Sequence, residues 1–140
     1  MISYPTEAQE CEVFHQWLNM QGLPHHHCAN ESQSGRKDAI IRNARNKRMG
    51  QSKGFPDYLV IIPDEYKEQY SVVDEPPVGV DCGLVCFSNR LVAIEMKRKK
   101  GGRLSPEQKQ WLEWLESAGI EVFVAKGADE AIRWIEERLK

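Results

Sequence analysis

An apolar run that ends in charged residues constrains this chain more than any other feature. Residues 90–94 are largely aliphatic, and Glu95-Met96-Lys97 follows directly. This run predicts a buried strand, which we place at residues 91–97. Because side chains alternate between the two faces of a strand, Glu95 and Lys97 point to one side and Met96 to the other. A buried carboxylate and amine are costly without a purpose, so the end of this strand predicts a site.

A second predicted strand also begins beside a carboxylate. Gly54-Phe55-Pro56-Asp57 reads as a turn, and the apolar residues 58–62 follow it. Carboxylates from Asp57 and Glu95 can hold a hard cation such as Mg²⁺ or Mn²⁺, and the Met96 carbonyl can add a further oxygen ligand. Lys97 would orient a metal-activated water and stabilise charge on phosphoryl oxygens. A lone Glu-x-Lys string is also an ordinary charge pattern on solvated strands.

The segment after the second motif is the most specific string in the chain. It reads Gly102-Arg103-Leu104-Ser105-Pro106-Glu107-Gln108. Ser105 suits a helix N-cap, and the following proline suits the first helical position. Gln108 has two interpretations that stay open here. Its side chain closes a capping box on Ser105, or its amide points to the predicted site along the helical face that it shares with Trp111.

The three strings together resemble the VRR-NUC family of the PD-(D/E)xK nuclease superfamily. The resemblance covers most of the chain, from Thr6-Glu7 through residues 118–122. It departs from the family pattern at Ala29, where a proline is usual, and at residues 63–83, which are longer than the usual link. It implies an α/β fold of the restriction-endonuclease-like type, in which helices flank a mixed β-sheet with the core order α-β-β-β-α-β.

The resemblance also implies a function and a set of site residues. It implies a divalent-metal-dependent endodeoxyribonuclease, with Mg²⁺ or Mn²⁺ as cofactor. The site residues it implies are Asp57, Glu95, Lys97 and Gln108 for catalysis, and Glu7, Asp57, Glu95 and Met96 for the metal. Small stand-alone members dimerise and cut branched DNA, including four-way (Holliday) junctions, so we expect a homodimer acting on branched DNA. Two alternatives are a DNA-binding module of the same fold without activity, and a nuclease acting on linear, flap or nicked DNA.

Glu7 is assigned by helical phase as well as by resemblance. A helix is predicted to start after Pro5, where Thr6 and Gln9 have the spacing of a capping box. In this helix Glu7 lies on one stripe with Cys11, Phe14 and Leu18. A glutamate at the head of this stripe is either a first-turn charge favoured by the helix dipole or an acid that reaches the metal site. The resemblance favours the second interpretation. Glu12 has a different phase and should face water.

The charge distribution predicts a nucleic-acid surface although the net charge is only −2. Residues 36–53 and 97–103 contain twelve of the nineteen basic residues and one acid, and both segments flank a motif. Clustered positive charge beside a predicted hydrolytic site is typical of phosphate binding. The alternative is a solvated basic helix and a charged turn. The predicted DNA contacts are Arg36, Lys37, Arg42, Arg45, Lys47, Arg48, Lys53, Arg98, Lys99, Lys100 and Arg103.

The length of 140 residues and an apolar fraction of 41% predict one domain over residues 1–140, with a loop insertion at 63–83. The element order predicted along the chain is α-β-α-β-β-β-α-β-α. Predicted ranges include strands at 24–30, 84–87 and 120–125 and a basic helix at 38–49. No apolar run approaches the ~20 residues of a membrane span and no signal segment is visible, so we expect an intracellular protein with reduced cysteines and no membrane partner. A zinc site formed by Cys28, Cys82, Cys86 and the histidines at 25–27 is a weaker alternative.

Overall fold

In the described part of the chain, four strands form one mixed sheet, and the two apolar runs are its central members. The structure is a computed structural model that describes residues 4–28, 35–63 and 89–140. The strands lie in chain order across the sheet, with β1, β2 and β3 antiparallel and β4 parallel to β3. A parallel pair needs a crossover connection, which a helix supplies here. The strands are β1 His25–His27, β2 Tyr58–Pro63, β3 Asn89–Lys97 and β4 Glu121–Lys126.

Among the residues that the structure describes, four helices flank the sheet, and two of them begin at a capping box. They are α1 Glu7–Gln21, α2 Lys37–Arg48, α3 Pro106–Ser117 and α4 Ala128–Arg138. Thr6 and Gln9 form the capping box of α1, and Ser105 and Gln108 form that of α3. Each box satisfies backbone N–H groups that have no partner within the helix. Both helix starts were predicted from these residues.

The core lies between one face of the sheet and helices α1 and α4. Phe14 and Leu18 of α1 and Ile135 of α4 cluster with Ile94 and Met96 of β3. All five side chains are fully buried. Because strand side chains alternate, the residues between these on β3 point to the opposite face, which α3 covers near the end of the strand. That opposite face carries the predicted catalytic residues.

The predicted fold class, an α/β mixed sheet flanked by helices, is what the structure shows. Some boundaries were wrong. The first strand was predicted at 24–30, but only residues 25–27 pair with β2. Pro63 was assigned to the insertion, yet it is the last residue of β2 and pairs with Asn89 at the strand end, where a proline is tolerated. Ala29, the rest of the predicted insertion, and the predicted strand 84–87 lie outside the described residues.

Within the described ranges, no helix is long and apolar enough to cross a lipid bilayer.

Candidate active site

The two predicted carboxylates lie at the same end of neighbouring strands. Tyr58, the first residue of β2, pairs with Ile94 of the antiparallel strand β3. Asp57, just before Tyr58, therefore lies opposite Glu95, just after Ile94. Asp57 Oδ2 accepts a hydrogen bond of 2.8 Å from the Met96 backbone N–H. Both carboxylates are buried, with exposed fractions of 7% for Asp57 and 1% for Glu95. The antiparallel register therefore brings together two acids that are 38 positions apart in the sequence.

Glu95 is held from two sides through one of its oxygens. Lys97 Nζ lies 2.6 Å from Glu95 Oε1, and Gln108 Nε2 donates to the same oxygen at 2.5 Å. The Lys97 side chain is itself buried, as its place on the same strand face as Glu95 predicted. Glu95 Oε2 is also buried and has no hydrogen-bond partner among the described residues. A buried oxygen without a partner is costly, so this atom marks the part of the site where a ligand is expected.

Gln108 combines the two roles that the sequence left as alternatives. Its Oε1 accepts a hydrogen bond of 2.9 Å from the Ser105 backbone N–H, and its own backbone N–H donates to Ser105 Oγ. The amide nitrogen of the same side chain donates to Glu95. A carboxamide carries both an acceptor and donors, so one residue can close the capping box and bind the site carboxylate at the same time.

The Met96 backbone lies beside the Asp57 carboxylate. The N–H and C=O of one strand residue point to the same side, and the Met96 N–H points to Asp57. The Lys97 carbonyl points the other way and accepts a hydrogen bond from Gly127 of the β4–α4 junction. The Met96 carbonyl therefore faces the Asp57 side of the strand. This orientation agrees with the predicted use of the Met96 carbonyl as an oxygen ligand.

Burial and nearby negative charges shift both carboxyl groups toward the protonated form. Burial, followed by the Asp57 charge, raises the pKa of Glu95 to about 7 against the opposing effect of Lys97. Burial likewise raises the pKa of Asp57, although the hydrogen bond from Met96 and the charges of Lys97 and His27 oppose the shift. Buried acids with shifted pKa values are typical of functional sites.

Helix α1 forms a second wall beside these acids. A groove of about 450 Å³ is lined by Glu7, Glu12 and His27 together with Asp57. Glu7 is half-buried, and its charge raises the pKa of both Asp57 and Glu95. Glu12 borders the groove but is exposed, as its helical phase predicted. Across the described ranges, no three side chains of His, Cys, Asp and Glu form a ready-made metal cluster, so the metal role of Glu7 stays a prediction.

Two thiols lie in this region, and Cys28 is the one that belongs to the zinc alternative. Burial, followed by the Asp57 charge, raises the pKa of Cys11 to about 12 and also raises that of Cys28. The other two cysteines of the proposed zinc site, Cys82 and Cys86, lie outside the described residues.

Two structural residues near the site were not predicted. Gly54 has a φ of +89°, and a Cβ at this position would lie 2.6 Å from the Glu107 carbonyl carbon and 2.7 Å from Gln108 N. Glu10 is buried, and its Oε2 accepts a hydrogen bond of 2.8 Å from the Ala128 N–H at the start of α4. The partner of Glu10 is 118 positions away in the sequence. The only sequence signal for the close approach of Gly54 to α3 was the glycine that opens the Gly-Phe-Pro-Asp turn.

The predicted DNA contacts differ in whether their charge is exposed or already paired within the protein. Helix α2 presents its basic residues mostly to solvent, and Arg98 and Arg103 are exposed beside the site. Lys99 instead forms an ion pair of 2.7 Å with Asp129, and Lys100 lies 5.8 Å from the centre of the Tyr4 ring. Lys99 is thus partly neutralised by α4. The exposed arginines are better placed than Lys99 to meet a phosphate.

Comparisons with other proteins give a family match and a fold match. Residues 5–129 match the family model described as the VRR-NUC domain. The fold is similar to that of a solved structure titled "VRR_NUC domain protein", with a TM-score of 0.63 and 22% sequence identity. The similarity covers 97% of this chain and 89% of the other. No curated protein matched the sequence.

Proposed function

This chain belongs to the VRR-NUC family, and from that premise we propose that it is a divalent-metal-dependent endonuclease that hydrolyses phosphodiester bonds in DNA. The observation that carries this proposal is the buried pair Asp57 and Glu95 with Lys97 bound to Glu95. A structural role alone does not account for this arrangement, because two acids and an amine are buried where apolar residues would stabilise the sheet more.

The donor set fits Mg²⁺ or Mn²⁺. Both metals prefer oxygen ligands, which Asp57, Glu95 and the Met96 carbonyl supply. The Glu95 Oε2 atom lacks a partner within the described residues, and a cation would provide one. Glu7 lies near enough to influence the pKa values of both acids and would complete the set directly or through water. When bound, the cation would lower the pKa of water and polarise a phosphoryl oxygen.

Side chains of the protein would orient the attacking water, stabilise the developing charge and hold Glu95 in place. Lys97 lies against Glu95, so its ammonium group is fixed where it can orient the attacking water and stabilise charge on the phosphoryl oxygens. Gln108 restricts the rotation of Glu95 by donating to Oε1. Its own position is fixed by the capping box of α3. Catalytic geometry is thus built on the ends of two strands and one helix, which are rigid elements.

We further propose that the substrate is branched DNA, including four-way junctions, and that two copies act together. One site cuts one strand, whereas resolution of a four-way junction needs two paired incisions, which a two-fold symmetric dimer can make. The exposed basic residues of α2 and those after β3 would contact the phosphates, so binding should weaken steeply with salt. Free thiols at Cys11 and Cys28 suit a reducing compartment, and we propose that the protein acts inside the cell.

A panel of labelled DNAs tests these proposals. Linear, nicked, flap and four-way DNA are incubated with Mg²⁺, Mn²⁺ or EDTA, and light scattering gives the mass in solution. We expect cleavage only with a metal, most rapid on branched DNA, by a dimer. A dimer that cuts only linear ends would refute the substrate, and a monomer that makes paired incisions would refute the dimer. Binding to every DNA without cleavage would favour the inactive DNA-binding module.

A further inference from the structure

Three aromatic rings lead from the candidate active site to the protein surface. The Phe55 and Trp111 ring centres are 5.0 Å apart, and the Trp111 and Trp114 centres are 5.2 Å apart. We call Phe55, Trp111 and Trp114 the aromatic ladder. Trp111 is half-buried, and Trp114 is 53% exposed, which is unusual for so large an apolar side chain. The outer end of the ladder is therefore open to a ligand.

The two chain segments that carry the aromatic ladder also carry residues of the candidate active site. Phe55 lies two residues before Asp57, and Trp111 lies one helical turn after Gln108. Gly54 packs against the backbone of Gln108, so the Gly-Phe-Pro-Asp turn and the start of α3 are in direct contact. The Phe55 end of the aromatic ladder consequently lies beside the candidate active site.

Two adjoining grooves run along the ladder, with volumes of about 390 and 380 Å³. Ser52 and Trp111 line both of them, so the two grooves are neighbours on the protein surface. Lys53 lines the outer groove together with Trp114. The combined space is within the range of ordinary small-ligand sites.

The charge beside the ladder indicates what kind of ligand it fits. The last turn of α2 carries Arg45, Lys47 and Arg48, and the chain passes from there through residues 50–52 to Lys53. An acidic side chain, Glu107, lines the α3 side of the outer groove. Phosphates are therefore favoured on the α2 side, with bases on the ring side. Aromatic rings beside a basic path are the chemistry that proteins use to bind single-stranded nucleic acid.

Resting on the proposed function, we propose that the aromatic ladder and Lys53 bind an unpaired nucleotide beside the candidate active site. Its base stacks on Trp114, and its phosphate lies near Lys53. A continuous duplex cannot occupy this surface in the same way, because the faces of its bases are covered by their neighbours. The ladder thus makes an unpaired nucleotide at a branch or flap the feature that the protein selects.

Binding measured in EDTA, where no cleavage occurs, tests the ladder. Fluorescence anisotropy compares a labelled oligo-dT strand with a continuous duplex of the same length. Trp114→Ala should weaken strand binding roughly 5- to 100-fold and duplex binding less than twofold. Trp114→Phe should retain most of the affinity, whereas Trp114→Leu, which keeps the apolar surface but lacks an aromatic face, should behave like the alanine variant. Met20→Ala is the control, because Met20 is an exposed apolar residue on α1 and should change neither affinity.

Equal losses on strand and duplex, or full affinity in Trp114→Leu, would overturn the stacking proposal. Light scattering identifies one specific alternative. If Trp114→Ala converts a dimer to a monomer and lowers all DNA binding alike, the ladder is an interface between copies and not a nucleotide site.

Cleavage of branched and duplex DNA with Mn²⁺ separates this proposal from the proposed function. If the wild-type protein cuts and Trp114→Ala binds and cuts every DNA equally well, the ladder proposal fails and the nuclease remains. If the wild-type protein cuts nothing but Trp114→Ala loses strand binding as expected, the nuclease fails and the ladder remains.

Discussion

The Gln108 side chain joins the start of α3 to the Glu95 carboxylate, with its oxygen 2.9 Å from the Ser105 N–H and its nitrogen 2.5 Å from Glu95 Oε1. The same amide thus serves helix stability and site geometry. Any change that moves the first turn of α3 should also move Glu95, so we expect folding and activity to be coupled at this position.

Gln108→Glu should separate the two roles. A glutamate at this position still closes the capping box, but it cannot donate to Glu95 and it adds a repelling charge. We expect a cleavage rate at least about tenfold lower with little change in the extent of helix. The matched control is Gln9→Glu in the capping box of α1, which is exposed and away from Glu95. Similar cleavage rates in the two variants would contradict a site role for Gln108.

Gly54→Ala should destabilise the protein and slow cleavage together. The added Cβ meets the backbone of residues 107 and 108 at less than 3 Å, and the positive φ disfavours any side chain. Gly119→Ala supplies the control, since Gly119 has a φ of +82° but no neighbour within 4 Å of a Cβ. In thermal unfolding, the positive φ should lower the free energy of unfolding of both variants by roughly 1–3 kcal/mol. The loss should be larger in Gly54→Ala because of the added contact. Equal losses would mean that the close approach has no cost.

Local rules account for what the sequence predicted well. The two capping boxes and the alternation of Glu95, Met96 and Lys97 depend only on residues within a few positions of each other. They located both helix starts, and they placed the buried acid and amine on one face of β3. The pairing of Asp57 with Glu95 followed from two strands that each carry a charge at one end.

Contacts between distant segments account for what was missed. The partner of Glu10 lies on α4 and that of Gly54 lies on α3, and no periodic pattern encodes either contact. The dual role of Gln108 was likewise invisible, because sequence shows a residue at the third helical position but not what its second polar atom meets. The ion pair of Lys99 with Asp129 depends on the same kind of tertiary contact.

Glu95 should make the metal-free protein less stable as the pH rises. Its pKa is about 7 in the folded protein against an ordinary 4.5, so the folded state binds more protons between these values and loses stability as they leave. In urea unfolding with EDTA, the free energy of unfolding of the wild type should fall between pH 4.5 and 7 by on the order of 1–3 kcal/mol more than that of Glu95→Gln. A pH-independent difference between the two proteins would show that the Glu95 pKa is ordinary.

Glu7 should matter for the metal requirement, and Glu12 should not. Glu7 is half-buried and acts on the pKa values of both site acids, whereas Glu12 is exposed on the rim of the same groove. Glu7→Gln should raise the Mn²⁺ concentration needed for half-maximal cleavage by about tenfold or more, as loss of a supporting ligand does elsewhere. Glu12→Gln should leave it unchanged. Equal shifts in the two titrations would show that the helical phase does not determine access to the site.

Nicking of supercoiled DNA tests the central claim most directly. Wild-type protein, Asp57→Asn and Lys97→Ala are compared with Mg²⁺ or Mn²⁺ and with EDTA, after circular dichroism has shown that all three are folded. The wild type should nick DNA only with a metal, and each variant should be slower by about a hundredfold or more while still binding DNA. Cleavage by either variant at the wild-type rate, or cleavage by the wild type in EDTA, would contradict a metal-dependent site built on Asp57, Glu95 and Lys97.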